Sequence, residues 1–229
     1  MNTPSSPPPD VPRAPAPWTL TGDAYVFLLR LPERLIREQS FLPDALAGRA
    51  EGKTAILMVV DYSSSNVGPY RELLYIPCRF RVGGRLYWSI TRIYVSTWDS
   101  VKNGRDNWGI PKDRADFELT REGGIERVKV RKDGHVFADL SLKAQLFGLP
   151  ASSMVVPEAM RTLVQVKDGQ SFFYAPSATS KARFARLIRA SFDPALFPDI
   201  TQGSVLFGAK LEGFKMLFPA AGIEAYPPA

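Results

Sequence analysis

Apolar and polar positions along this chain alternate over short distances, and the runs they define have the length of strands. Residues 24–29 and 54–62 are aromatic, β-branched and aliphatic, the composition that suits a pleated, half-buried surface. Residues 72–82 and 85–95 are two further runs joined by Gly83-Gly84. Two glycines supply the positive φ of a tight turn, so this pair predicts a hairpin. Residues 117–119, 126–132 and 136–142 follow, the last two separated by the turn signal Lys132-Asp133-Gly134. Residues 205–216 alternate with a period near two. Helical signals are few. Residues 32–39 read as one short helix opening on a proline. Residues 181–191 are ambiguous, because Ala182, Phe184, Leu187 and Ile188 fit a helical face only weakly and the phenylalanine-rich flanks also suit a strand. The pattern as a whole predicts a mainly β fold with few short helices, an antiparallel barrel or bent double sheet.

Composition adds boundaries. Seven prolines fall within residues 1–17, a stretch with little to bury, which predicts a disordered proline-rich arm before a single domain over 18–229. The 229 residues carry a formal charge of +6, but the basic residues are spread along the chain. That argues for a solvated basic surface and against a nucleic-acid partner. No apolar run approaches the ~20 residues of a membrane helix, and the N-terminus lacks a secretory pattern. The single cysteine, Cys78, lies in an apolar stretch and reads as a buried, inert thiol. These features lead us to expect a cytoplasmic protein with no membrane partner.

The candidate chemistry narrows quickly. Gly48–Thr54 is spaced wrongly for a phosphate loop and leads into a strand-like run where a helix is required. One histidine, His135, and one cysteine leave no His/Cys metal site and no general base for a serine triad; His135 reads as an exposed turn residue. What remains is lysine and carboxylate chemistry. Lys112 follows the apolar turn Trp108-Gly109-Ile110-Pro111. Burial beside Trp108 and Ile110 would push its amine pKa down, and a neutral amine attacks carbonyls to form a Schiff base. Glu72 lies where a turn feeds an apolar strand and suits a proton shuttle; a salt bridge to Arg71 or Arg92 is its structural alternative. Tyr70, Tyr94 and Phe27 are candidates for the pocket wall. Arg105 is a candidate contact for a substrate anion, with a structural ion pair under the loop as the alternative.

Several segments together resemble the acetoacetate decarboxylase superfamily: Ala16-Pro17-Trp18, Phe41-Leu42-Pro43, Gly68-Pro69-Tyr70-Arg71-Glu72, Gly104-Arg105 with Trp108-Gly109-Ile110-Pro111-Lys112, and Leu196-Phe197-Pro198-Asp199. The resemblance implies a cone-like antiparallel β-barrel, an oligomer of identical chains, Lys112 as the Schiff-base lysine and Glu72 as the nearby acid/base. It implies a small carbonyl substrate, a keto acid or ketone, undergoing decarboxylation or aldol and dehydration chemistry. No metal or organic cofactor is called for, because the lysine is itself the electron sink. The sequence also departs from the decarboxylase pattern. Asp113 stands where a second lysine is expected, Thr21-Gly22-Asp23-Ala24 lacks an arginine for the substrate carboxylate, and residues 55–60 lack a glutamate. The alternative reading is a non-catalytic β-barrel that binds a small lipophilic or aromatic ligand, with Lys112 paired to Asp113 or Asp116.

Overall fold

The computed structural model describes residues 9–226. The chain runs β1 (Trp18–Arg30), α1 (Glu33–Glu38), β2 (Ala50–Glu51), β3 (Thr54–Ser64), β4 (Tyr70–Ile76), β5 (Arg79–Val82), β6 (Arg85–Trp88), β7 (Arg92–Val95), α2 (Trp98–Trp108), β8 (Lys112–Arg114), β9 (Asp116–Glu122), β10 (Ile125–Lys132), β11 (His135–Ser152), α3 (Glu158–Arg161), β12 (Leu163–Lys167), β13 (Gln170–Tyr174), β14 (Ser177–Phe192), β15 (Ser204–Phe218) and β16 (Gly222–Ala225). Ten strands form one nearly closed sheet in the order β8-β7-β4-β3-β1-β15-β14-β11-β10-β9, and six form a smaller one, β16-β13-β12-β6-β5-β2. The two end strands of the large sheet, β8 and β9, are separated in sequence only by Ala115, so the chain itself links its edges. The expected mainly β, barrel-like double sheet is the observed fold.

The hairpin over 72–95 forms, but each run divides between the sheets. β4 and β7 pair in the large sheet, while β5 and β6 pair in the small one across Gly83-Gly84. Pro77 marks the first crossing; without an N–H it interrupts the ladder there. The ambiguous segment 181–191 is strand, because β14 finds partners on both sides in β11 and β15. The largest departure is α2, which the hydrophobic pattern does not announce. Gly104 and residues such as Val101, Asn103 and Asn107 are weak helix formers. The helix is held instead by its caps and its burial. Thr97 accepts a hydrogen bond from Ser100 N at 3.4 Å, and Gly109 closes the C-terminus at φ 65°, its N–H on Arg105 O at 3.1 Å.

From Pro12 onward the proline-rich arm follows α2. Asn103, almost fully buried, donates to Pro12 O at 3.0 Å and accepts from Ala14 N at 2.7 Å, and Asn107 donates to Ala14 O at 2.8 Å. Residues 1–8 of that arm lie outside the described residues. His135 opens β11 with a half-exposed ring 2.9 Å from Asp193 Oδ2.

Strand alternation sorts side chains into two cores. In β4, Leu73 and Tyr75 join one cluster with Tyr25, Phe27 and Leu29 of β1. On the opposite face of β4, Tyr70, Leu74 and Ile76 join a second cluster with Trp18, Ile93, Val101, Trp108 and Phe214. Glu72 shares the face of Tyr70 and Leu74 because side chains two apart on a strand point the same way. The second core, between the large sheet and α2, is where the candidate chemistry lies.

Candidate active site

β8 pairs in parallel with β7, with Lys112 opposite Ile93 and Asp113 opposite Tyr94. Lys112 therefore projects into the second core and Asp113 into the first. The Lys112 backbone is fixed from α2, where Arg105 Nε donates to Lys112 O at 2.8 Å. Its aliphatic stem crosses α2 at Gly104, where an added Cβ would lie 2.6 Å from Lys112 Cδ. At the end of that stem, Nζ donates to Glu72 Oε2 at 3.1 Å and to Ser100 Oγ at 3.0 Å. Tyr62 OH donates to the other carboxylate oxygen of Glu72 at 3.3 Å, and the Tyr70 ring centre lies 5.1 Å from Nζ. Both members of the Lys112–Glu72 pair are about 5% exposed.

This cluster borders a cavity of about 190 Å³, lined by Trp18, Leu20, Met58, Tyr62, Tyr70, Leu74, Ile76, Trp108, Ile110, Met216 and Phe218 among others. Three lining residues are charged: Glu72, Lys112 and Arg161. Trp18 and Trp108 meet edge to face at 5.0 Å, and Trp108 Nε1 donates to Pro219 O at 2.7 Å, so the wall beside the lysine is rigid.

The expected depression of the Lys112 amine is not what this environment produces. Burial is the largest single influence and pushes the amine down, but Tyr70 and Glu72 together outweigh it and hold the amine above its ordinary value. The physical reason is the close carboxylate: an opposite charge within hydrogen-bond reach stabilises the ammonium. Burial pushes the Tyr70 phenol up against the opposing pull of Lys112, with Glu72 adding to the rise. Tyr62 is pushed up by burial, then by Glu72 and Tyr70. Both phenols are thus uncharged near neutral pH.

Of the residues picked out in the sequence, Lys112, Glu72, Tyr70, Trp108 and Ile110 meet at this cavity. Phe27 and Tyr94 do not; strand alternation places both in the first core, where the Tyr94 ring lies 4.5 Å from Phe137 and its hydroxyl donates to Leu196 O at 3.1 Å. Arg105 is likewise absent from the lining and braces the lysine main chain instead. The alternative ion pairs are taken by others. Arg71 pairs with Asp61 at 3.1 Å, Arg114 with Asp116 at 2.7 Å, and Lys132 with Asp113. Ser100, Tyr62 and Arg161 are additions. Ser100 was detectable in principle, since Thr97 with Asp99 two residues on is a helix-start signal. Arg161 carried no local signal.

Residues 2–205 match the sequence model of the family described as acetoacetate decarboxylase (ADC). The chain belongs to the acetoacetate decarboxylase family. Among solved structures it is similar to acetoacetate decarboxylase from Legionella pneumophila subsp. pneumophila str. Philadelphia 1, with a TM-score of 0.71 at 13% identity over 98% of this chain and 94% of that one. An acetoacetate decarboxylase-like enzyme from Sphingomonas wittichii RW1 gives 0.63 at 14% identity over 93% and 94%. The enduracididine biosynthesis enzyme MppR, complexed with pyruvate, gives 0.59 at 14% over 91% and 90%. No protein of curated function matches the sequence. At these identities the structural likeness establishes the shared fold. Among the described residues no helix is long and apolar enough to cross a membrane.

Proposed function

We propose that this family member is a Schiff-base-forming carbon–carbon lyase, acting on a small keto acid or ketone by decarboxylation or by aldol and dehydration chemistry. The observation that carries this reading is the contact of Lys112 Nζ with Glu72 Oε2 at 3.1 Å on the wall of an apolar cavity. A buried ammonium is not a nucleophile, but this one has an acceptor for its proton in place. Transfer of that proton to Glu72 frees the amine lone pair, which adds to the substrate carbonyl carbon. The carbonyl oxygen takes up a proton, the carbinolamine expels water, and an iminium remains on Lys112. Loss of carbon dioxide from a 3-oxo acid, or of a carbon-bound proton from a 2-oxo acid, sends an electron pair into the iminium and gives an enamine. Glu72 returns or removes the proton at carbon, and water releases the product. Ser100 Oγ, 3.0 Å from Nζ, holds the amine in position throughout.

The printed description of the MppR complex pairs that relative with pyruvate, which supports a carbonyl substrate here. The ion pair also favours the second reading: an amine kept charged by Glu72 is what a purely binding barrel would possess. Borohydride reduction separates the two. Incubation with pyruvate, acetoacetate and a panel of ketones, then reduction and intact-mass measurement, is expected to leave a covalent adduct that peptide mapping assigns to Lys112. Failure to form an adduct with any member of the panel would leave the binding reading.

The same reading includes assembly of identical chains in the cytoplasm. Leu146, Phe147 and Leu149 of β11 are 76–89% exposed, and the exposed rings of Phe184 on β14 and Phe207 on β15 meet edge to face at 5.8 Å. An apolar patch on three neighbouring strands favours contact with another copy.

A further inference from the structure

We infer that the chamber takes a neutral carbonyl compound, a ketone or aldehyde with an apolar body, and turns keto acids away. The inference rests on the imine chemistry proposed for Lys112 and chooses between the substrate classes that chemistry allows.

The donors and cations on the chamber wall are committed to the protein. Trp18 Nε1 donates to Ala14 O at 3.0 Å and Trp108 Nε1 to Pro219 O at 2.7 Å. Arg161 ends α3 and lines the cavity, but its guanidinium serves as a fastener. Nη1 donates to Ala175 O at 2.7 Å and to Pro176 O at 2.6 Å, Nη2 pairs with Glu158 at 3.7 Å, and Nε is buried. Lys112 Nζ donates to Glu72 and Ser100. The charged group nearest the reacting nitrogen is therefore an anion, Glu72, 3.1 Å away. A substrate carboxylate lodged there would meet like charge and no open cation.

The rest of the lining suits an apolar body. Leu20, Met58, Leu74, Ile76, Met216 and Phe218 supply aliphatic, thioether and aromatic surface. The volume is about 190 Å³, against about 150 Å³ for a dry cavity that admits benzene.

A neutral substrate also keeps the chamber neutral at every stage. The resting Lys112 ammonium and Glu72 carboxylate cancel, and after proton transfer both are uncharged. Once water has left, the iminium on Lys112 and the Glu72 carboxylate cancel again. Glu72 then removes a proton from the carbon beside the iminium. The C–H electron pair forms the carbon–carbon double bond, the C=N pair returns to nitrogen, and an uncharged enamine and an uncharged acid remain. A keto acid carries an extra negative charge through these stages until carbon dioxide leaves, and an unpaired buried charge is costly. A ketone has no carbon dioxide to lose, so removal of this α-proton is its entry to aldol chemistry.

Binding and turnover test this separately, using the full chain. Trp18 and Trp108 line the cavity, so tryptophan fluorescence reads occupancy. The binding probes are 4-phenylbutan-1-ol and 4-phenylbutanoate, neither of which has a ketone to trap. The alcohol is expected to bind about 10- to 100-fold more tightly than the acid. Equal or tighter binding of the acid overturns the inference. Arg161→Gln is expected to leave acid binding as weak as before; a further loss confined to the acid would show that the guanidinium turns to meet the anion, and overturns it too. The reacting pair is 4-phenylbutan-2-one and 2-oxo-4-phenylbutanoate, which differ by a methyl group in place of a carboxylate. Borohydride adducts on Lys112 are expected to favour the ketone once each yield is taken relative to that on a free lysine derivative. In deuterium oxide the protein is expected to place deuterium on the carbons beside the ketone carbonyl, and Lys112→Met to abolish this exchange. Adducts that favour the keto acid overturn this inference alone. Neither adduct nor exchange with either compound, even where the alcohol binds, overturns the imine chemistry and the substrate assignment with it.

Discussion

A methyl group on Gly104 would lie 2.6 Å from Cδ of Lys112 and 2.8 Å from Cε. The glycine, in the middle of α2, is the groove through which the lysine stem reaches Glu72. By helix propensity alone, Gly104→Ala would stabilise α2 by up to about 1 kcal/mol, whereas overpacking costs about 1–3 kcal/mol. The expected result is a small change in thermal stability with borohydride-trapped adduct reduced at least tenfold, because the stem must leave the groove. Adduct yield at the level of the unaltered protein would show that the groove does not position the amine.

The Lys112–Glu72 pair is buried, so removing one partner strands the other. Lys112→Met is expected to destabilise the fold by about 3–5 kcal/mol and to abolish the adduct. Lys112→Met combined with Glu72→Gln is expected to recover most of that stability and none of the adduct. Urea unfolding midpoints and intact masses of the single and double variants provide the check.

The pair also sets a pH dependence. Because the folded amine lies above its ordinary value of 10.5, its contribution to stability is fully present below that value and is lost as pH rises through the higher folded value. In Glu72→Gln the carboxylate is gone and burial remains, so Lys112 is expected to titrate lower than in the unaltered protein. NMR titration of the lysine side chain reads the shift; an unchanged midpoint would mean that Glu72 does not hold the proton in place.

Cys78 is buried, and burial pushes its thiol up to about 11. It is expected to resist a thiol reagent at pH 8 in the folded protein and to react promptly in denaturant. Rapid labelling of the folded chain would reveal an opening that exposes the first core.

If the exposed face of β11, β14 and β15 joins identical chains, charge at its most exposed residue disrupts the assembly. Phe147, 89% exposed, makes Phe147→Glu a substitution with little cost to the monomer fold. Sedimentation is expected to show an oligomer for the unaltered chain and smaller species for the variant.

The sequence by itself determined the β character and the turns at Gly83-Gly84 and Asp133-Gly134, while the pairing of Lys112 with Glu72 was implied only by the family resemblance. The β character and the turns follow from local rules: alternation, and glycine at positive φ. Only the tertiary structure decided which face each side chain occupies, and with it the membership of the site. Tyr94 and Phe27 looked like pocket residues by composition, yet period-two alternation sends them to the opposite core from Ile93 and Trp18. The charge state of Lys112 was also nonlocal, since Tyr70 and Glu72, which only the fold brings beside the amine, together outweigh a burial that the flanking Trp108 and Ile110 made evident. Arg161 reaches the cavity on a helix forty-nine positions after Lys112 in the chain. No local pattern records such an approach, because it depends on how the small sheet packs against the large one.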